Sequence, residues 1–312
     1  MFRQLSLRGF MALKQTRPII TTSHRSLSSL ISTAELESVL DQVKVLDGSW
    51  HMPNAGRDPH KEFVEKRIRG AQFFGIDEIK DTTTDLPHML PTPEKFAEAV
   101  GNLGISNQDQ VVVYDSAGLF SACRVYWTFK AFGHQQVSVL NGGLPKWIQE
   151  NKPTESGSPP TVNPVKYSVP QLDTQLVRNY QTVLQNAKLA ETDPAKAALV
   201  LDARPNPRFT GEAPEPRPGL SSGHMPGSIS IPFNEVIQDG EILSDAKLKD
   251  YFVSKGVDLN KEIITSCGSG ITASVLYFAL ERVGAKHIAV YDGSWTEYAG
   301  EETSIIIKSQ NH

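Results

Sequence analysis

Cysteine is almost missing from this chain, with Cys123 and Cys267 the only two among 312 residues. One pair cannot staple a chain of this length, so a secreted disulfide scaffold is excluded and a reducing compartment is favoured. No Cys/His ligand cluster accompanies them, so neither a structural zinc nor any other metal or cofactor is implied. Acidic residues are absent from the first 34 positions, which hold Arg3, Arg8, Lys14, Arg17 and Arg25 and are rich in Ser, Thr and Leu. That composition reads as a mitochondrial or plastid transit peptide over residues 1–30, and its apolar runs are too short and interrupted to span a membrane. The chain carries a formal charge of -4, and removing the five cations of the head leaves about -9, which excludes a nucleic acid as partner.

What is present is an ordinary globular composition, 39% apolar and 21% charged, in a chain long enough for two compact domains. The two halves share one plan. Val45-Leu46-Asp47 is answered by Val200-Leu201-Asp202, and Arg69-Gly70-Ala71 with Phe73 and Phe74 by residues 223–228 with Ile231 and Phe233. VVVYD at 111–115 is answered by IITSC at 263–267, and Val139 to Gly143 with Trp147 by Val290 to Ser294 with Trp295. The short apolar runs read as buried strands. Between them the spacing predicts helices, one starting at Thr92-Pro93 with Phe96, Val100 and Leu103 on one face, another carrying Leu176, Tyr180 and Val183. Strands alternating with helices imply an α/β fold, a parallel sheet covered by helices in each half. Residues 151–170 carry Pro153, Pro159, Pro160, Pro164 and Pro170, admit neither helix nor central strand, and read as the linker between domains at 31–150 and 171–306.

Cys267-Gly268-Ser269-Gly270-Ile271-Thr272-Ala273 sits between a strand ending at Ser266 and an apolar helical run. Two glycines let backbone N–H groups turn inward while the helix presents its positive end, so the loop forms an anion cradle that favours a nucleophilic thiolate. Gly-x-Gly directly after the cysteine has no evident packing purpose, which sets Cys267 apart from an inert core thiol. The first half has Asp115 at the corresponding place, followed by a loop one residue longer. An acid cannot carry sulfur, so that half is expected to be an inactive copy that walls the cleft, with Cys123 a core or interface residue.

The duplicated plan, the Asp-for-Cys exchange and the CGSGITA loop resemble the two-domain rhodanese-type sulfurtransferases over nearly everything after the basic head. The loop resembles the 3-mercaptopyruvate branch, Cys-Gly-Ser/Thr-Gly-Val-Thr, with Ile271 a mild departure, and lacks the basic side chains of the thiosulfate branch. The resemblance implies two tandem rhodanese-like domains and a Cys267 persulfide, formed from a small-molecule donor with release of pyruvate. The sulfur then passes to cyanide, a small thiol or reduced thioredoxin. It assigns Arg208 and Arg217 to the substrate, and two forked guanidinium groups suit a 2-oxo carboxylate. Gly268, Gly270, Ile271 and Thr272 join them as loop contacts to substrate. It also implies a relay of Ser269, His88 and Asp77 that protonates the departing enolate; Gly75 stands where relatives usually have another Asp. Trp50, His51 and residues 292–298 match segments read as structural.

Two rivals have discriminating features. Dual-specificity phosphatases of the same fold close a longer loop with an arginine six residues after the cysteine, where this chain has Ala273. A persulfide relay protein serving tRNA thiolation or a cofactor pathway would not need the arginine pair.

Overall fold

The computed structural model describes residues 27–308. Residues 1–26, most of the expected transit peptide, lie outside the described residues. Five strands form the first sheet: β1 (Leu30–Ile31), β2 (Lys44–Asp47), β3 (Gln72–Phe73), β4 (Val111–Tyr114) and β5 (Val137–Leu140), in the order β1-β5-β4-β2-β3. Five more form the second: β6 (Val177–Arg178), β7 (Leu199–Asp202), β8 (Ser228–Ser230), β9 (Glu262–Ser266) and β10 (His287–Tyr291), in the order β6-β10-β9-β7-β8. All pairings within both sheets are parallel, and the two orders are the same, strand for strand. The duplication read from the sequence is therefore a duplication of topology, and the fold is α/β as expected. Leu30 already pairs with Val139, one residue ahead of the expected domain start.

The central strands are buried on both faces, as VVVY and IITS require, and helices cover both sides. The helix expected from Thr92 runs Pro93–Asn102 (α3), with the Thr92 hydroxyl accepting from the Lys95 N–H and Phe96 and Val100 buried. The other expectation is corrected: Leu176 precedes β6, and the helix begins only at Tyr180 behind an Asn179 cap. Leu176 instead offers its carbonyl to the Val290 N–H and the Trp127 indole, so its apolar side chain belongs to an extended segment.

Two helices, α4 (Ala122–Ala131) and α9 (Ile271–Arg282), each follow the loop of their own half and pack on each other. Both are apolar nearly all round because each lies between its own sheet and the other half. Tyr126 meets Phe278 edge-on at 5.0 Å, and one continuous core runs through both halves. At roughly 1.5–3 kcal/mol per fully buried large apolar side chain, this shared core joins the halves firmly.

The proline-rich stretch is strapped to the first half. Thr154–Glu155 pairs antiparallel with Arg67–Ile68, the Arg67 guanidinium donates to the Gly157 and Ser158 carbonyls, and Tyr167 is buried against Phe96. Among the described residues no helix is long and apolar enough to cross a membrane.

A buried ion pair crosses between the halves. Arg124 Nη2 lies 2.6 Å from Asp292 Oδ1, and the two side chains are 2% and 6% exposed. The same Nη2 donates to the His88 carbonyl, Nη1 donates to the Gly270 carbonyl at 3.4 Å, and Asp292 Oδ2 accepts the Leu90 N–H at 2.8 Å. Removing one partner leaves the other charged and unpaired, so Arg124→Ala or Asp292→Ala is expected to lose about 3–5 kcal/mol in urea unfolding. The double variant Arg124→Met/Asp292→Leu is expected to recover a large part of that loss, measured on the same curves.

Candidate active site

Three residues separate Cys267 from α9, and six separate Asp115 from α4, so the loops differ more than the sequence spacing indicated. In the first half the longer loop wraps its own acid: Asp115 Oδ1 accepts from the N–H groups of Ala117 and Gly118, and Oδ2 from those of Phe120 and Ala122. In the second half the Gly270 N–H points at Cys267 Sγ at 3.1 Å. The cradle is thus filled by a carboxylate in one copy and turned onto a sulfur in the other. Cys267 is 2% exposed, and α10 (Ser294–Tyr298) anchors it. The Ser294 hydroxyl accepts the Cys267 N–H, the Trp295 N–H donates to the Cys267 carbonyl, and Thr296 donates twice to the Gly268 carbonyl.

One expectation about the loop is corrected. Gly270 does serve packing: it has φ +84°, and a Cβ there would stand 2.5 Å from Arg124 Nη1 and 2.9 Å from the Asp292 carbonyl. Gly268 admits the clamp, because a Cβ on it would lie 3.3 Å from Arg208 Nη2 and 3.9 Å from Arg217 Nη1.

Cys267, Gly268, Ser269, Ile271 and Thr272 line one cavity of about 240 Å³ together with Arg208 and Arg217, roofed by Trp50 and Phe120 from the first half. Seven of the expected residues therefore converge, and Gly270 lies beneath them. Arg208 is engaged by Glu215 through both Nε and Nη2. Glu215 also binds Arg204, whose guanidinium grips Asp202 at the end of β7 and stacks 4.0 Å over Trp295. Arg217 is bound more lightly, donating to the Thr296 hydroxyl at 3.2 Å; burial lowers its pKa from the ordinary arginine value, opposed by the charge of Cys267.

Asp77 and His88 line a second, adjoining cavity of about 470 Å³, which shares Trp50 and Arg217 with the first. His88 Nδ1 is 2.7 Å from Asp77 Oδ1, and the Trp50 indole donates to Oδ2 at 2.8 Å. Burial lowers the His88 pKa, outweighing Asp77, which raises it. Burial would raise Asp77, but the bonds from His88 and Trp50 prevail and its pKa is lowered. His88 sits at φ +63° and is 4% exposed, with Nε2 buried and without a hydrogen-bond partner among the described residues. The pair Asp77–His88 is formed, while Ser269 is not hydrogen-bonded to it. Cys123 is wholly buried in the shared core, and burial pushes its thiol well above the usual range, so it fits the inert role expected of it.

Sequence reasoning missed Arg124, Arg204 and Glu215, and read Trp50 and Asp292 as merely structural. A lone charge inside the apolar run ACRVYWTF was the available signal for Arg124. Arg204 follows the strand-end aspartate by two residues, as Ser49 follows Asp47, where Ser49 makes the corresponding bond to the acid. Substituting Gly270→Ala forces a side chain into the left-handed region against Arg124. It is expected to cost about 1–3 kcal/mol in thermal or urea unfolding and to abolish turnover even at temperatures where the variant is folded.

The rhodanese-like domain model matches residues 57–150 and 184–301. A probable 3-mercaptopyruvate sulfurtransferase of Schizosaccharomyces pombe is 42% identical over 278 residues, 87% of this chain and 92% of its own. The 3-mercaptopyruvate sulfurtransferase of Homo sapiens is 40% identical over 259 residues, 82% of this chain and 84% of its own. Among solved structures, the sub-stoichiometric sulfur transferase subunit of yeast mitochondrial complex I matches with a TM-score of 0.83 at 40% identity, covering 91% of this chain and 100% of that one. Two matched domains, and relatives this close along most of the length, leave one conclusion: the chain belongs to the rhodanese-like family as a tandem of two such domains.

Proposed function

We propose that the chain is a sulfurtransferase that takes sulfur from 3-mercaptopyruvate onto Cys267 and hands it to a thiol-type acceptor. The observation that carries this reading is the Gly270 N–H aimed at Cys267 Sγ beneath two guanidinium groups that meet over Gly268. Arg217 and Arg208 hold the carboxylate and ketone oxygens of the donor, with Glu215 fixing the Arg208 fork. The Cys267 thiolate attacks the donor's sulfur, the carbon–sulfur bond breaks, and its electron pair becomes the enolate of pyruvate. Cradle N–H groups stabilise the negative charge on sulfur. The donor's own thiol proton then moves to the enolate carbon, so the products are the Cys267 persulfide anion and pyruvate, with no net proton exchanged.

His88 suits that transfer, because a neutral imidazole held at Nδ1 by Asp77 offers Nε2 to collect the proton and return it. Ser269 lines the donor cavity and is the hydroxyl through which the proton would reach His88. Cyanide, a small thiol or thioredoxin would discharge the persulfide. The basic head without acids and the likeness to a mitochondrial yeast subunit support import into mitochondria.

Steady-state sulfur transfer is expected to vanish in Cys267→Ser. In Arg217→Ala, kcat/KM for 3-mercaptopyruvate is expected to fall by about 10- to 100-fold, the worth of a hydrogen bond to a charged group. Thiosulfate should be the poorer donor for the wild type; equal or better use of it overturns the assignment of donor. A pH series adds a second check. The working form of His88 is neutral and its pKa is lowered, so pyruvate release should hold as pH falls to about 6.5 and decline only below that ordinary histidine value. His88→Gln should lose this acid limb, and a limb above 6.5 would speak against the assignment.

A further inference from the structure

After the donor leaves as pyruvate, a second molecule must reach the outer sulfur, and a cavity of about 470 Å³ lies beside the Cys267 pocket without Cys267 or Arg208 in its lining. It is walled mainly by the first half and adjoins the Cys267 pocket at Trp50 and Arg217, which line both. Its charged groups are unevenly committed. Asp77 is taken by His88 and Trp50, and Glu78 pairs with His60 at 2.8 Å. Lys80 and Arg217 line the same space, and neither makes an ion pair with an acid among the described residues. The buried Nε2 of His88 has no hydrogen-bond partner, an arrangement costly to leave unfilled in a folded protein. A thiol S–H is a donor that such an imidazole nitrogen can accept, and a carboxylate is what the two cations can hold.

We propose that this cavity is the acceptor site, and that the acceptor it selects is a small thiol bearing a carboxylate, with its S–H on His88 Nε2 and its carboxylate on Lys80. The inference rests on the reading that Cys267 carries the persulfide. His88 removes the proton of the acceptor thiol and passes it to the outer sulfur of the persulfide. The acceptor thiolate attacks that sulfur, a new S–S bond forms, and the Cys267 S–S bond breaks with its electron pair left on Cys267. One thiol and one persulfide anion thus give one new persulfide and the Cys267 thiolate, and His88 ends as it began. Arg217 serves both half-reactions in turn, which the shared wall of the two cavities permits.

The test uses the full protein loaded with 3-mercaptopyruvate and freed of pyruvate, its extra sulfur atom verified by intact mass. Discharge is then timed with 3-mercaptopropionate and with 2-mercaptoethanol, thiols of similar size of which only the first is anionic. The wild type should favour the anionic thiol, and Lys80→Glu should lower the ratio of the two rate constants by about 5- to 10-fold, as expected for reversing one partly screened charge. Lys80→Arg should restore it. Because each ratio is internal to one protein, partial misfolding cancels. An unchanged ratio in Lys80→Glu, or equal slowing of both thiols, overturns the proposed site. A missing mass increment overturns the persulfide reading itself, and this inference with it.

Discussion

Arg124 reaches out of the first half and gathers three parts of the site around one guanidinium group. It binds the Asp292 carboxylate, the carbonyl of His88 and the carbonyl of Gly270. A cation this deeply buried is stable only when its partner and its remaining donors are satisfied, and here most of them are spent on groups from the two halves. The position of His88, at a backbone angle uncommon outside glycine, is thereby tied to the turn that aims the Gly270 N–H at Cys267. The two cavities share their wall because this contact sets how one domain stands on the other.

The duplication explains why only one half is equipped for sulfur. Both copies end a central strand at the mouth of a loop and bind the carbonyl there with the helix after the neighbouring strand, Leu144 onto Asp115 and Trp295 onto Cys267. What differs is the occupant of the cradle. Asp115 brings its own anion and takes four N–H groups, so that loop is closed and inert. At Cys267 no carboxylate fills the cradle, and the Gly270 N–H is turned onto the sulfur. The copy with Asp115 contributes Trp50, Asp77 and His88, so side chains of both halves line the two adjoining cavities.

The parts legible in the sequence were the local ones. Strand runs, the Thr92-Pro93 start and the cysteine loop are each fixed by neighbours within a few residues, and the repeat doubled every signal. Leu176 was misplaced because a spacing of three or four suits a helix as well as a strand end followed by one, and Asn179 was the stop signal overlooked. The reason for Gly270 was invisible for a different cause: the atoms that forbid a side chain there belong to Arg124 and Asp292, far away in sequence. Beyond Cys267 and its glycine loop, the candidate residues came from resemblance, and their division between two cavities followed only from the packing of one domain on the other.

Charge accounting in the Cys267 cavity bears on the choice of donor. Arg204 and Arg208 are balanced by Asp202 and Glu215, so that four-membered network is neutral and acts as a rigid, pre-aimed fork. Among the described residues, Arg217 is the one cation lining the cavity that no acid pairs with. A 2-oxo acid brings one carboxylate, which Arg217 can neutralise, and a ketone oxygen, which a charge-balanced guanidinium can hold by hydrogen bonds alone. A doubly charged donor would leave one charge uncompensated in a largely closed site, where desolvation is costly. The absence of any basic side chain from Gly268 to Ala273 and the neutralised Arg208 therefore act in the same direction, towards a monoanionic donor recognised by shape.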